Sequence, residues 1–205
     1  MTRWLVTIWP LLALAACASS NEPTAFKYDT DVVTRSDWGW QNTDIPSTSH
    51  SISRITIHHG GVVFSADRDP QEYLRALQRW SRTERAWPDV PYHFVIDLDG
   101  NIYEGRPIEF AGDTNTSYDP SGHALIVVVG DYDRRELTPV QFEAMAQLTA
   151  YLASEYSVAY SDIKGHKDYA PGETACPGKN IYQFLEDGSI LRRVRQIAGP
   201  RPQRP

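Results

Sequence analysis

The amino-acid sequence predicts an α/β fold, a single domain with a central mixed β-sheet flanked by helices. Three observations carry this expectation. Strand and helix signals alternate along the chain. One run, Ala124 to Val129 (ALIVVV), is apolar and β-branched throughout, as a strand covered on both faces requires. Two other stretches open with strong helix-start chemistry. With 205 residues, 41% of them hydrophobic, the chain is long enough to enclose one such core.

Taken in order, Ile52 to His59 (ISRITIHH) is β-branched and alternating, which predicts a strand. Asp69-Pro70-Gln71-Glu72 predicts a helix start. Aspartate can cap the free N–H groups, proline suits the first helical position, and glutamate favours the positive end of the dipole. Tyr73, Leu74, Leu77 and Trp80 then recur at helical spacing. His93 to Asp97 and Asn101 to Glu104 flank Leu98-Asp99-Gly100, a hairpin signal. After the buried strand, Thr138-Pro139-Val140-Gln141 reads as a capping box, followed by Phe142, Met145, Leu148, Thr149 and Leu152. A third helix is expected after Asn180, with Asp187-Gly188 as a candidate break. His166 and Cys176 fall in KGHKDYAPGETACPG, whose glycines and prolines predict rigid irregular structure.

The ends read differently. Arg3 precedes an apolar run from Trp4 to Ala16, with small residues around Cys17. That run is shorter than the roughly twenty residues a spanning helix needs, and its layout is that of a secretory signal. Residues 1–16 are therefore expected to be the signal and 17–34 a flexible polar tether. The domain is expected over 35–198, with 199–205 (GPRPQRP) a disordered tail.

Twenty basic against twenty-six acidic residues give a net charge of −6, which argues against a nucleic-acid partner. The two cysteines, Cys17 and Cys176, could form one bridge at most, which excludes a disulfide scaffold. A catalytic zinc site needs three protein ligands and an open position. His58 or His59, His166 and Cys176 are the candidates, on a strand end and a loop far apart in sequence. Spacing leaves this open, since a histidine pair on a strand is often incidental and a lone cysteine often a small buried hydrophobe.

Five stretches in order carry a resemblance. They are Arg35-Ser36-Asp37-Trp38-Gly39; Ile55-Thr56-Ile57-His58-His59; Trp87-Pro88-Asp89-Val90-Pro91-Tyr92-His93-Phe94 running into Asp99-Gly100 and Tyr103-Glu104-Gly105-Arg106; Val127-Val128-Val129-Gly130-Asp131-Tyr132; and Gly165-His166-Lys167-Asp168 with Thr174-Ala175-Cys176-Pro177-Gly178. Together they resemble the zinc amidases that include peptidoglycan-recognition proteins and the phage lysozymes that are N-acetylmuramoyl-L-alanine amidases. The resemblance implies the peptidoglycan-recognition/amidase-like fold and one catalytic Zn2+ held by His58, His166 and Cys176. It also implies that Tyr92 stands beside the zinc-activated water and that Thr174 donates to the oxyanion. The substrate implied is peptidoglycan or a muropeptide, cut between N-acetylmuramic acid and L-alanine. Alternatives are a module that binds peptidoglycan without cutting it and a zinc peptidase acting on another stem-peptide bond. The segment Ala111-Gly112-Asp113-Thr114 departs from the pattern, which usually has a histidine there, and Val127 stands where the cytosolic branch has a glutamate.

Leu14-Ala15-Ala16-Cys17 in turn resembles the bacterial lipobox. That implies cleavage before Cys17 and a lipid anchor on its thiol, with several acyl chains giving lasting attachment. Ala18 and Ser19 rather than aspartate follow it, which implies the outer membrane, facing the periplasm.

Overall fold

Six strands form one sheet in the computed structural model, which describes residues 32–42 and 47–199. They are β1 (Val32–Val33), β2 (Arg54–His59), β3 (Phe94–Ile96), β4 (Ile102–Glu104), β5 (His123–Val128) and β6 (Ile163–Gly165). Their order across the sheet is β1-β4-β3-β5-β2-β6. The β3–β4 pair is antiparallel and every other neighbouring pair is parallel, so the sheet is mixed. The helices are α1 (Pro70–Glu84), α2 (Pro139–Glu155), the single turn α3 (His166–Tyr169), α4 (Lys179–Glu186) and α5 (Ser189–Ala198).

The apolar run of β5 lies between β2 and β3 with all six residues buried. Its alternate side chains serve two cores, because successive residues of a strand face opposite ways. Ala124, Ile126 and Val128 join Ile55 and Ile57 of β2 against α2 residues such as Met145, Leu148 and Leu152. Val127 and Val129 face a second cluster with Trp38, Phe64, Tyr73 and Leu74, the last two from α1.

Local chemistry shapes the elements between these layers. The Asp69 carboxylate accepts from Gln71 N–H at 2.9 Å to start α1, and Thr138 with Gln141 forms the capping box of α2. At the hairpin, the buried Asp97 carboxylate accepts from the backbone N–H groups of Asp99 and Asn101, the Asn101 amide and the Tyr103 hydroxyl. Gly100 turns the chain at φ +83°, a conformation that a side chain strains.

Several expectations need correction. The first strand begins at Arg54, because Ser53 N–H and Arg54 N–H both turn to Gly122 O. The tether expected through residue 34 ends sooner, since Val32 and Val33 pair with Ile102 and Tyr103 at the sheet edge. The helix expected after Asn180 starts at Lys179, and the candidate break at Asp187-Gly188 is present: α4 ends before it and α5 begins after it, with Gly188 at φ +71°. The stretch expected to be irregular contains the last two residues of strand β6 and, directly after them, α3. The signal segment, Cys17, the tether up to residue 31 and the tail from residue 200 lie outside the described residues.

Candidate metal centre

The face that each residue of β2 presents is set by register. Ile55 and Ile57 lie in the α2-side core, so His58 emerges on the opposite face and His59 on the same face as the isoleucines. His59 Nδ1 accepts from Tyr132 N–H at 3.1 Å, and Tyr132 belongs to the α2-side core. That contact makes His59 a packing residue. Asp131 and Asp133 come near it, but Asp131 accepts from Asp133 N–H and pairs with Arg134, while Asp133 accepts from Lys179 N–H.

On the other side of β2, one donor atom each from His58, His166 and Cys176 lies within 4.8 Å of the others, and all three residues are buried. Three elements deliver them. His58 is the penultimate residue of β2, His166 opens α3 directly after β6, and Cys176 lies on the loop before α4. Parallel pairing of β6 with β2 brings Gly165 beside Ile57, one residue from His58. The loop is then tied back by Lys167 N–H to Cys176 O at 2.9 Å. Gly165 is required by close approach, because a Cβ there would stand 2.9 Å from Pro177 Cδ.

Neither nitrogen of His58 has an ordinary hydrogen bond. Nδ1 lies 3.5 Å from Cys176 Sγ, and Nε2 is buried without a partner. Burial, and then the nearby His166, push the His58 pKa well below its ordinary value, so the ring is neutral. Burial likewise lowers His166 to about 4 and pushes the Cys176 thiol up to about 12. Two neutral imidazoles and a sulfur whose ionisation awaits a neighbouring cation make a borderline-soft donor set suited to Zn2+. The unpartnered Nε2 of His58 and the sulfur-only contact of its Nδ1 fit the same reading, since buried polar atoms ordinarily find partners.

Tyr92 closes one side, its ring centroid 5.2 Å from that of His58. Burial drives its phenol pKa well above the ordinary value, with Cys176 adding to the effect, so the group is a hydrogen-bond donor. Its backbone is held by Arg106 N–H to Tyr92 O at 2.8 Å. A Cβ on Gly105 would come within 2.3 Å of that oxygen. Thr174 Oγ1 accepts from Cys176 N–H at 3.1 Å, which steadies the ligand loop and leaves the hydroxyl proton free to be donated.

Sequence reasoning missed the residues that hold these parts in place. Asp89 of the Trp-Pro-Asp stretch accepts from Trp40 Nε1 at 2.7 Å, Gln78 Nε2 at 2.8 Å and Val90 N–H at 2.8 Å. Arg106, 2% exposed, donates to the carbonyls of Val90, Ala111 and Asp89 and pairs with Asp113. Arg106 was visible as part of a motif, but its buried role was not. Thr116 Oγ1 lies 2.8 Å from His166 Nε2, and nothing in the stretch DTNTS marks that contact beforehand.

The profile of the N-acetylmuramoyl-L-alanine amidase family matches residues 48–179. Peptidoglycan-recognition protein SC2 of Drosophila simulans is 30% identical over 182 residues, covering 87% of this chain and 94% of that protein. Among solved structures, the N-acetylmuramoyl-L-alanine amidase LysC of Clostridium intestinale superposes with a TM-score of 0.64 at 25% identity, over 79% of this chain and 97% of that one. A variant of Drosophila peptidoglycan-recognition protein LB, solved with tracheal cytotoxin, gives 0.65 at 24% identity, over 76% and 92%. The last shows shared fold alone.

Proposed function

Because the chain belongs to the N-acetylmuramoyl-L-alanine amidase family, we propose that it hydrolyses the amide bond between N-acetylmuramic acid and L-alanine in peptidoglycan or muropeptides. His58, His166 and Cys176 hold one catalytic Zn2+ on this reading. The observation that carries it is the buried convergence of these three donors around a histidine that lacks any ordinary hydrogen-bond partner. Zinc at such a donor set lowers the pKa of a water toward ~7 and polarises the substrate carbonyl.

The remaining work falls to the chain itself. Tyr92, protonated and fixed beside His58, orients the attacking water through its hydroxyl. Thr174 donates its free hydroxyl proton to the oxygen on which negative charge develops, a contact that strengthens in the transition state. Three separate loops and strand ends build the site on a mixed sheet, so its parts are held rigidly before substrate arrives. Cys17, lipidated, holds the domain at the outer membrane facing the periplasm, beside the cell wall.

Product analysis tests the proposal. The protein should release stem peptides with a new L-alanine amine from muropeptides, and chelation or Cys176→Ala should abolish that release. The relative at 30% identity carries recognition rather than hydrolysis in its name, which supports a second reading as a binding module. Metal-loaded protein that binds sacculi and yields no new amine would establish that reading instead. New amines confined to the interior of the stem peptide would indicate a peptidase.

A further inference from the structure

The segment from Asp113 to Tyr118 runs past His166 and is anchored at both ends. At its start, Asp113 pairs with the buried Arg106, and Asp113 N–H donates to Pro91 O at 3.4 Å. At its end, Ser117 donates through both its N–H and its hydroxyl to the Glu173 carboxylate, on the loop that leads to Cys176. The Tyr118 ring packs edge-on to His166, with centroids 5.2 Å apart, and stacks on Tyr169 at 5.9 Å. Between these anchors Thr116 Oγ1 stands 2.8 Å from His166 Nε2, with Thr114 Oγ1 at 3.3 Å from the same nitrogen.

We propose that Thr116 is a positioning residue for His166: its hydroxyl oxygen accepts the Nε2 proton and so reserves the Nδ1 lone pair for the metal. A neutral imidazole carries one proton, so a partner at one nitrogen decides which nitrogen can bind a cation. Two hydroxyls could run their hydrogen bonds in either direction. Thr114 Oγ1 accepts from Thr116 N–H at 3.1 Å and, lying 2.7 Å from Thr116 Oγ1, has a second lone pair able to accept the Thr116 hydroxyl proton. With the Thr116 hydroxyl donating to Thr114, its own oxygen lone pair faces Nε2. The reverse direction would send a hydroxyl proton to Nε2, move the ring proton to Nδ1 and remove the ligand. Outer partners of this kind set the orientation and basicity of metal-binding histidines. The anchors at Arg106 and Glu173 fix Thr116 before metal arrives, so little ordering is left to be done on binding.

This inference rests on His166 being a zinc ligand, and the experiment separates the two. Zn2+ is titrated into the metal-free full chain, held in detergent, against a chromophoric chelator. Thr116→Val should weaken Zn2+ binding about 10–100-fold, and Thr116→Ser, which keeps the hydroxyl, should stay within about threefold of the parent. A Thr116→Val protein that binds Zn2+ within about threefold of the parent overturns the proposal. Should the valine variant not fold, 15N chemical shifts of His166 in the unsubstituted metal-free chain decide the matter. A proton on Nε2 is expected, and one on Nδ1 refutes the assignment. His166→Ala is the control on the premise: unchanged Zn2+ binding there sinks the centre itself, whereas loss there with no effect at Thr116 sinks only this inference.

Discussion

His93 offers a sharp test of how burial couples this fold to pH. The ring is 1% exposed and both nitrogens are engaged, Nε2 with Phe110 O at 2.9 Å and Nδ1 as acceptor from Leu125 N–H at 2.9 Å. That arrangement admits only the neutral Nε2–H tautomer, since a proton on Nδ1 would face another N–H. Burial, the largest cause, lowers the pKa from 6.5 to about 3. The folded state therefore binds fewer protons than the unfolded state, and stability is full above pH ~6.5 and drains away as pH falls toward ~3. At 1.36 kcal/mol per unit, the loss from this one residue is of order 3 kcal/mol by pH ~4 and at most about 5 kcal/mol in all. A domain has about 5–15 kcal/mol in hand, so the effect is large. The assay is urea denaturation of a chain beginning at residue 18, which keeps every described residue, in chelator between pH ~7 and ~4. His93→Gln, which cannot titrate, should be less stable near neutrality by about 1–3 kcal/mol for its imperfect hydrogen bonds. Its deficit relative to the parent should shrink steadily on acidification and vanish or reverse near pH ~4. A deficit that stays constant across that range refutes the reasoning.

Other consequences follow from the same contacts. Arg106→Lys should destabilise the fold by about 3 kcal/mol in denaturant titration, because one ammonium cannot serve the three buried carbonyls and Asp113 together. Stripping metal should lower the thermal midpoint, by the equivalent of about 4 kcal/mol when free Zn2+ stands at about a thousand times its dissociation constant. A midpoint indifferent to chelator would count against the centre. Tyr92→Phe should reduce kcat by about 10²-fold or more with little change in KM if its hydroxyl acts, as proposed, on the water rather than on the bound sugar. Gly105→Ala should impair activity as well, by displacing the Tyr92 carbonyl that a Cβ would meet at 2.3 Å.

Much of the scaffold is legible in the sequence because its signals are local. The all-apolar ALIVVV stretch declares a doubly covered strand, and the Asp69 and Thr138 caps announce α1 and α2 at their first residues. Strands β1 and β6 escape such reading. With two and three residues they are too short to show a period, and only pairing with β4 and β2 makes them strands. The short turn α3 is similar: Asp168 accepts from Gly165 N–H at 2.8 Å, a contact that follows once β6 has placed the chain.

For the centre, residue type was enough to nominate two histidines and a cysteine, since few other side chains offer soft or borderline donors. Composition and pattern could not choose between His58 and His59, which are adjacent and chemically identical. Strand register makes that choice, because packing Ile55 and Ile57 against α2 turns His58 to the face where His166 and Cys176 arrive. Thr116, Asp89 and Arg106 act through contacts between segments distant in the chain, and their partners exist only once the sheet is assembled. Local chemistry thus specifies which groups are available. Long-range packing decides which of them meet, because burial and hydrogen-bond direction are properties of neighbours that the linear order does not contain.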